Sequence, residues 1–293
     1  MISVCIPVYN FNVVALVKSL QSQFEKSNIS YEILILDDAS KPEFQLLNRE
    51  VKAIANSYIE LEKNVGRSAI RNMFLSFAKF EWLLFLDCDS KIISDNFIEN
   101  YKYHISDNTV IYGGRIYQTI PPNNPELILH WRYGRKVESK KVEVRKKHPY
   151  QSFHSNNFLV PYAVLQSNLF DESLTQYGHE DSLWALQLEQ KNITIIHIDN
   201  PVLHDDLQKS DDFLTKARLA IQNLILLENK GYHLEQGVQN FYQKLTMIKL
   251  KDVFYFVIRA SEIMSEKNLK SKHPYIFHLQ LYKLGHYIKL KEK

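Results

Sequence analysis

Residues 82–90 read WLLFLDCDS, an apolar run that stops abruptly on Asp87, Cys88 and Asp89. Its length and composition are those of a strand buried on both faces, as in a parallel sheet. Acids two residues apart at the end of such a strand project into the crevice where open α/β sheets bind ligands. An unpaired buried charge is costly, so these carboxylates need a cation or a basic side chain. Oxygen donors of this kind suit Mg2+ or Mn2+, which keep waters and bridge to substrate phosphates. The spacing alone proves little, because with 14 Asp in 293 residues an Asp-x-Asp arises about once by chance. A loop in which Asp89 or Ser90 caps a following turn explains it equally well.

The first ninety residues add weight to the functional reading. ISVCIPV (residues 2–8) and YEILILDD (31–38) are two more buried-strand patterns, and the second again ends in acids, Asp37 and Asp38. Helices are expected over about 13–24, with Asn12 as cap, over 43–56 and over 68–78, with a short strand at 57–62. Strands separated by helices of this length imply right-handed βαβ units and a mostly parallel sheet. The first turn is Pro-Val-Tyr-Asn; neither G-x-G-x-x-G nor G-x-x-x-x-G-K-[ST] occurs, so dinucleotide and P-loop readings lose their main support. Beyond residue 90 a helix is expected near 94–104 and a strand at 109–117. The basic stretch 132–148, RYGRKVESKKVEVRKKH, reads as exposed and mobile. A strand at 154–161, a helix at 180–190 and a strand at 193–198 follow. From 211 onward the pattern is helical, over about 211–229, 237–265 and 274–290. These signals divide the chain into a region 1–206 and a helical extension 207–293.

An apolar share of 45% is ample for a packed core in a chain of this length. Cys5 and Cys88 both fall in predicted buried strands, which argues against a disulfide and for a reducing compartment. Residues 1–8 already read as a strand, so no secretory leader is expected there. No run approaches the ~20 apolar residues that cross a bilayer. The net charge of +3 hides an asymmetry: residues 206–293 carry 15 Lys+Arg against 9 Asp+Glu, leaving 21 against 24 for the rest. A basic tail points to an acidic partner or surface, or to a solvated helical face. Residues 276–293, IFHLQLYKLGHYIKLKEK, set apolar residues at helical spacing with lysines between them. Such a helix either lies on an anionic leaflet or packs against the rest of the chain with its lysines in water.

Five pieces in order, SVCIPVYN, EILILDDAS, NVGRSAIRN, LLFLDCDS and FDESLTQYGHEDSLWALQL, followed by His204, resemble family 2 glycosyltransferases of the GT-A fold. The resemblance covers residues 1–206. It implies a Rossmann-like α/β architecture: a mixed, mostly parallel sheet flanked by helices, here with a C-terminal helical extension. It further implies a UDP-sugar donor, Mn2+ or Mg2+, and transfer with inversion to a glycan or lipid-linked acceptor. By the same resemblance, Pro7, Tyr9, Asp38 and its neighbour Asp37 form the wall that holds the nucleobase. Arg67 and Arg71 face base and pyrophosphate. Asp87, Cys88 and Asp89 are the Asp-x-Asp segment, with Asp89 on the metal and His204 as a further metal ligand. Asp181, with Glu180 beside it, supplies the catalytic base. His179 departs from the Gly or Trp that relatives often carry there.

From the residues alone, Arg67 and Arg71 lie one helical turn apart and can reach one ligand. An acid pair such as Glu180-Asp181 in a first helical turn is otherwise ordinary dipole complementation. Asn156 and Asn157 are further candidates near a donor sugar. His130, His148 and His154 show no ligand spacing. The expected activity is hexosyl or N-acetylhexosaminyl transfer in surface polysaccharide biosynthesis, at a cytoplasmic site that can be peripheral to the inner face of the plasma membrane, with no nucleic-acid partner. A sugar-phosphate nucleotidyltransferase is disfavoured by the lack of a Gly-rich N-terminal loop. A binding module that has lost catalysis is disfavoured by the presence of both acid motifs.

Overall fold

The computed structural model describes residues 1–234 and 237–292. The apolar runs become β1 (Ile2–Val8), β2 (Tyr31–Asp37), β3 (Ser57–Glu60) and β4 (Trp82–Leu86), connected by α1 (Val14–Ser27), α2 (Pro42–Asn48) and α3 (Arg67–Met73). There follow β5 (Ser90–Lys91), α4 (Phe97–Lys102), β6 (Thr109–Tyr112), β7 (Arg115–Ile116), α5 (Ile128–Tyr133) and α6 (Val142–Arg145). β8 (Asn157–Pro161), α7 (Tyr162–Ser167), α8 (Glu180–Gln190), β9 (Thr194–His197) and β10 (Val202–His204) come next. The remainder is α9 (Ser210–Asn229), α10 (Gly237–Met247), α11 (Lys251–Leu269) and α12 (Ile276–Lys291).

Among the described residues the main sheet has the order β3-β2-β1-β4-β8-β6-β9. β1 runs parallel to β2 and β4, and β2 to β3, while β8 is antiparallel to both its neighbours, β4 and β6. Because successive strand residues face opposite ways, the same strands feed two apolar layers. Ile2, Val4, Ile6, Ile33, Ile35 and Leu84 pack with α1 and α4 on one face. Cys5, Leu34, Leu36, Leu83 and Phe85 pack with Ile70 and Phe74 and with Trp184 and Leu188 of α8 on the other. Full burial on both faces is why these strands lack the alternation of half-exposed ones.

A small second sheet, β5-β10-β7, lies beside the end of β4. Its register sets His204 opposite Ser90, one residue from Asp89. The single strand expected over 109–117 is therefore two strands in two sheets. The break is Gly113-Gly114. A Cβ on Gly113 would come within 2.5 Å of Asn157 Nδ2, the Asn200 carbonyl and the Tyr101 hydroxyl, and Gly114 has φ +97°. The helix expected over 43–56 also shortens: α2 ends at Asn48 and a 3-10 turn, Arg49–Ala53, follows. Asn12 does serve the start of α1, its Oδ1 accepting from the Val14 N–H at 3.0 Å.

The basic stretch 132–148 is not an extended mobile segment. It contains the end of α5, a π turn (Gly134–Glu138) and α6. Arg145 is 4% exposed. Its guanidinium donates to the carbonyls of Tyr112, Gly113 and Ile198 and contacts His197 Nδ1 at 3.1 Å. A cation that a sequence reader assigns to solvent thus closes the ends of β6 and β9.

The chain forms two compact units, one of residues 1–117, 139–175 and 180–206, the other of 118–138, 176–179 and 207–293. In the second, α5, α9 and α12 pack around Leu129, Leu214, Leu279 and Tyr282, and Leu245, Ile258, Leu284 and Ile288 join α10, α11 and α12. A Cβ on Gly285 would stand 2.7 Å from Ile258 Cγ2, so α11 and α12 approach closely there. Of the two alternatives the sequence left open for this helix, packing accounts for Leu279, Tyr282, Leu284 and Ile288, while Phe277 stays exposed.

Candidate active site

The carboxyl ends of β1, β2 and β4 and the first turns of α3 and α8 carry the residues singled out in the sequence. At the β1 end Pro7 is half-buried and Tyr9 is 54% exposed. The turn after it is tied to the turn after β2: Asn10 N–H donates to Ser40 Oγ, and Lys41 N–H to Asn10 Oδ1. Asp37 and Asp38 are buried and engaged. Asp37 accepts from the Ser40 N–H at 2.6 Å and the Tyr58 hydroxyl at 3.0 Å. Asp38 accepts from the Val65 and Gly66 N–H groups, at 2.6 and 3.1 Å, and so fixes the loop that opens α3. Burial raises the Asp38 carboxyl above its usual range, against the pull of those two bonds.

Four acids at this rim each have a basic partner. Asp87 accepts from Arg71 Nη2 at 2.8 Å, and Glu180 from Arg67 Nη1 at 3.3 Å. Asp89 Oδ2 lies 3.3 Å from His204 Nδ1, and Asp181 Oδ2 lies 3.1 Å from His154 Nδ1. The pairs are linked. Arg71 Nη1 donates to the Arg67 carbonyl, and the Asp87 N–H donates to the carbonyl of Asn156, two residues from His154. The pairing sets a basic group against each carboxylate along one rim. At Asp89 burial pushes the carboxyl upward, yet the charges and hydrogen bond of His204, with Arg115 and Arg67, outweigh it and hold the group below its usual range.

Arg67 and Arg71 do not point the same way, although they sit one turn apart. The Arg71 side chain is 3% exposed and packs under Phe170; that of Arg67 is 51% exposed. Arg71 is the buried support of Asp87, whereas Arg67 is half-exposed and reaches Glu180. Cys88 lies in the turn after β4 rather than in a strand. It packs against the apolar layer beneath β1, and burial, then the Asp89 and Asp87 charges, raises its thiol pKa. Both cysteines are free.

Glu180 and Asp181 open α8, and Asp181 Oδ1 accepts from the Ser182 N–H at 2.7 Å. The residue before them, His179, has φ +71°. That left-handed conformation is the one glycine adopts at least cost. His154 is the residue that the sequence did not single out. No metal-type spacing marks it; its partner lies 27 residues away, across β8 and α7. Asn156 and Asn157 serve the scaffold. Asn156 Oδ1 contacts the Tyr112 hydroxyl at 3.3 Å, while Asn157 accepts from the Tyr101 hydroxyl and donates to the carbonyls of Gly114 and Asn200. His130 Nδ1 accepts from the Gln208 N–H in the helical unit, and His148 is exposed.

Among the described residues no group of three or more His, Cys, Asp or Glu could hold a metal. The chain instead offers one carboxylate and one imidazole side by side, Asp89 and His204. An oxygen and nitrogen pair of this kind fits Mn2+ or Mg2+ whose remaining positions are filled by water and substrate phosphate.

A parallel sheet in the order β3-β2-β1-β4, a reversed β8, and acids at the carboxyl edge define a GT-A fold. The chain belongs to glycosyl transferase family 2, whose model matches residues 3–166. It is similar to the chondroitin synthase of Escherichia coli, 24% identical over 85% of this chain and 40% of that protein. The chain spans between 40% and 48% of the length of the curated relatives it matches. Among solved structures it superposes on the mannosyltransferase PcManGT of Pyrobaculum calidifontis, in complex with GDP-Man and Mn2+. The TM-score is 0.62 at 14% identity, over 100% of this chain and 87% of that one. It superposes also on residues 1–349 of S. aureus TarS in complex with UDP-GlcNAc, with a TM-score of 0.52 at 17% identity, over 99% and 90% of the two chains.

Proposed function

We propose that this chain transfers a hexosyl or N-acetylhexosaminyl group from a UDP-sugar to a hydroxyl of a glycan or lipid-linked acceptor, with inversion. The carrying observation is the linked set of four acid–base pairs at the carboxyl edge of the sheet. Residues 1–206 would be the catalytic region and 207–293 a helical extension. The E. coli chondroitin synthase supports a role in polysaccharide synthesis, and the UDP-GlcNAc held by TarS supports the donor class.

In this reading the Asp181 carboxylate accepts the proton of the acceptor hydroxyl. The acceptor oxygen forms its bond to the anomeric carbon from the face opposite the diphosphate, whose C–O bond breaks and takes the electron pair. One displacement inverts the centre. His154 and the Ser182 N–H hold the two Asp181 oxygens in place. Arg67, half-exposed, is the cation that would meet the departing diphosphate, and Arg71 holds Asp87 in place. Asp89 and His204 would hold a divalent ion, which when bound neutralises charge on the diphosphate as a Lewis acid. The Mn2+ in PcManGT supports that assignment.

The test is UDP release from a panel of UDP-sugars with Mn2+, with and without EDTA, in wild type and Asp89→Asn. Release that EDTA and Asp89→Asn both abolish is the expected result. Tight UDP binding with no turnover of any donor would favour the binding module instead. Preference for GDP-mannose would overturn the donor class alone.

A further inference from the structure

The helical unit leaves a long apolar face uncovered. On α11 the residues at helical spacing, Val253, Phe256, Val257, Ile263 and Met264, are 58%, 75%, 56%, 72% and 62% exposed. The turn before it adds Met247 at 81% and Ile248 at 59%, and Phe241 of α10 meets Phe254 ring to edge. The opposite side of α11 packs inward through Ile258 and Leu269. From Val253 to Met264 the stripe runs about 16 Å along the helix. Single exposed apolar residues need no explanation, but a contiguous stripe of large ones does.

The charges around it say what it meets. Lys244, Lys249 and Lys267 are exposed and have no ion pair among the described residues, and they bracket the stripe at both ends. Of the nearby acids, Asp252 lies 3.5 Å from Lys251 Nζ, which Glu292 also contacts, and Glu262 accepts from Arg259 at 3.0 Å. A second copy of the chain docked face to face would bring lysines against lysines. An apolar face ringed by unpaired lysines is the complement of an anionic bilayer, where the apolar side chains enter the acyl boundary and the cations stay with the headgroups. No described helix is long and apolar enough to cross a membrane, so the contact is one of lying on the surface.

We propose that the outer face of α11, with the α10–α11 turn, is a monotopic binding surface for an anionic phospholipid bilayer. This goes beyond the transfer reading and rests on different residues. It places the membrane contact on α11 rather than on α12, whose Leu279, Tyr282, Leu284 and Ile288 pack inward.

The test is flotation of the full chain with vesicles of phosphatidylcholine alone or with phosphatidylglycerol, without donor or acceptor. Wild type should float with the anionic vesicles and do so less as salt is raised. Phe256→Ser with Ile263→Ser should lower partitioning at least ~10-fold, since both side chains lose their transfer to the acyl boundary. Lys249→Glu with Lys267→Glu should lower it at least ~10-fold on anionic vesicles and little on neutral ones. Circular dichroism and urea midpoints of these outward-facing variants should match wild type. Absence of flotation, or flotation indifferent to Phe256→Ser and Ile263→Ser, would overturn the proposal. So would sedimentation velocity showing a dimer that those substitutions dissolve while vesicles are ignored. Because the vesicles contain no sugar donor, a negative result here leaves the transfer reading standing, and failed transfer leaves this surface standing.

Discussion

The Asp181–His154 pair permits a quantitative test of the proposed chemistry. Asp181→Asn preserves the size of the side chain and an oxygen for the Ser182 N–H, and removes the negative charge and the capacity to take a proton. Positioned general-base catalysis contributes ~10²–10⁴-fold, so turnover should fall by that factor, or about 3–5 kcal/mol of barrier. His154→Gln removes a hydrogen bond to a charged group. Such bonds are worth about 1.5–3 kcal/mol, and the exposure of both side chains, 33% and 20%, lowers that to about 1–2 kcal/mol, or ~5–30-fold in rate. If His154 acts only by orienting Asp181, the losses must not add: in the Asp181→Asn background His154→Gln should cost less than ~2-fold. Initial rates of nucleoside diphosphate release at saturating donor and acceptor measure all four corners of the cycle. Calorimetry should show donor affinity within ~3-fold of wild type for both single variants. Full additivity would place His154 in a separate role, and near-wild-type turnover of Asp181→Asn would put the base elsewhere.

Arg71→Met should destabilise the fold by about 2–4 kcal/mol in urea unfolding, because it strands Asp87 beside a buried apolar side chain; adding Asp87→Leu should recover part of the loss. Gly113→Ala should lower the unfolding midpoint by the equivalent of about 3 kcal/mol or more, since all three crowded atoms belong to buried hydrogen-bonded groups. Burial, opposed by the Pro149 carbonyl and aided by the Arg145 charge, depresses His197 from 6.5 to about 4. The unfolded chain therefore binds the extra proton first, and stability should decline as pH falls from about 6.5 towards 4, by up to about 3 kcal/mol. His197→Gln should flatten that part of the stability–pH curve.

Strands that are apolar throughout announced themselves. β1, β2 and β4 are where the runs in residues 2–8, 31–38 and 82–87 put them, and α9 follows its 3.6-residue pattern. What local pattern could not carry was pairing. Arg145 reads as one more cation in a basic tract, and only the carbonyls of Tyr112, Gly113 and Ile198, brought together by the sheet, make its burial tolerable. His154 is silent for the same reason, its partner being set by the packing of α8. Residues 276–291 set apolar side chains at helical spacing, but periodicity does not say whether such side chains meet protein or lipid. On α11 apolar residues fall on both sides of the helix, Ile258 and Leu269 inward and Val253, Phe256 and Ile263 outward, and the pattern concealed which side stays in the open.

The reversed strand β8 has an architectural consequence. Tyr112, the last residue of β6, sits opposite Phe158 near the start of β8. Neighbouring antiparallel backbones are only ~5 Å apart. Everything from Gly113 to Asn156 is therefore an excursion that leaves and re-enters the sheet through one narrow gate beside Asp87. The excursion is woven into the rest of the fold: it carries β7 of the small sheet, Leu129 of the helical unit's core, the buried Arg145 and the Asp181 partner His154. Trimming or replacing it would therefore unseat the ends of β6 and β9 and the partner of Asp181 along with the loop itself.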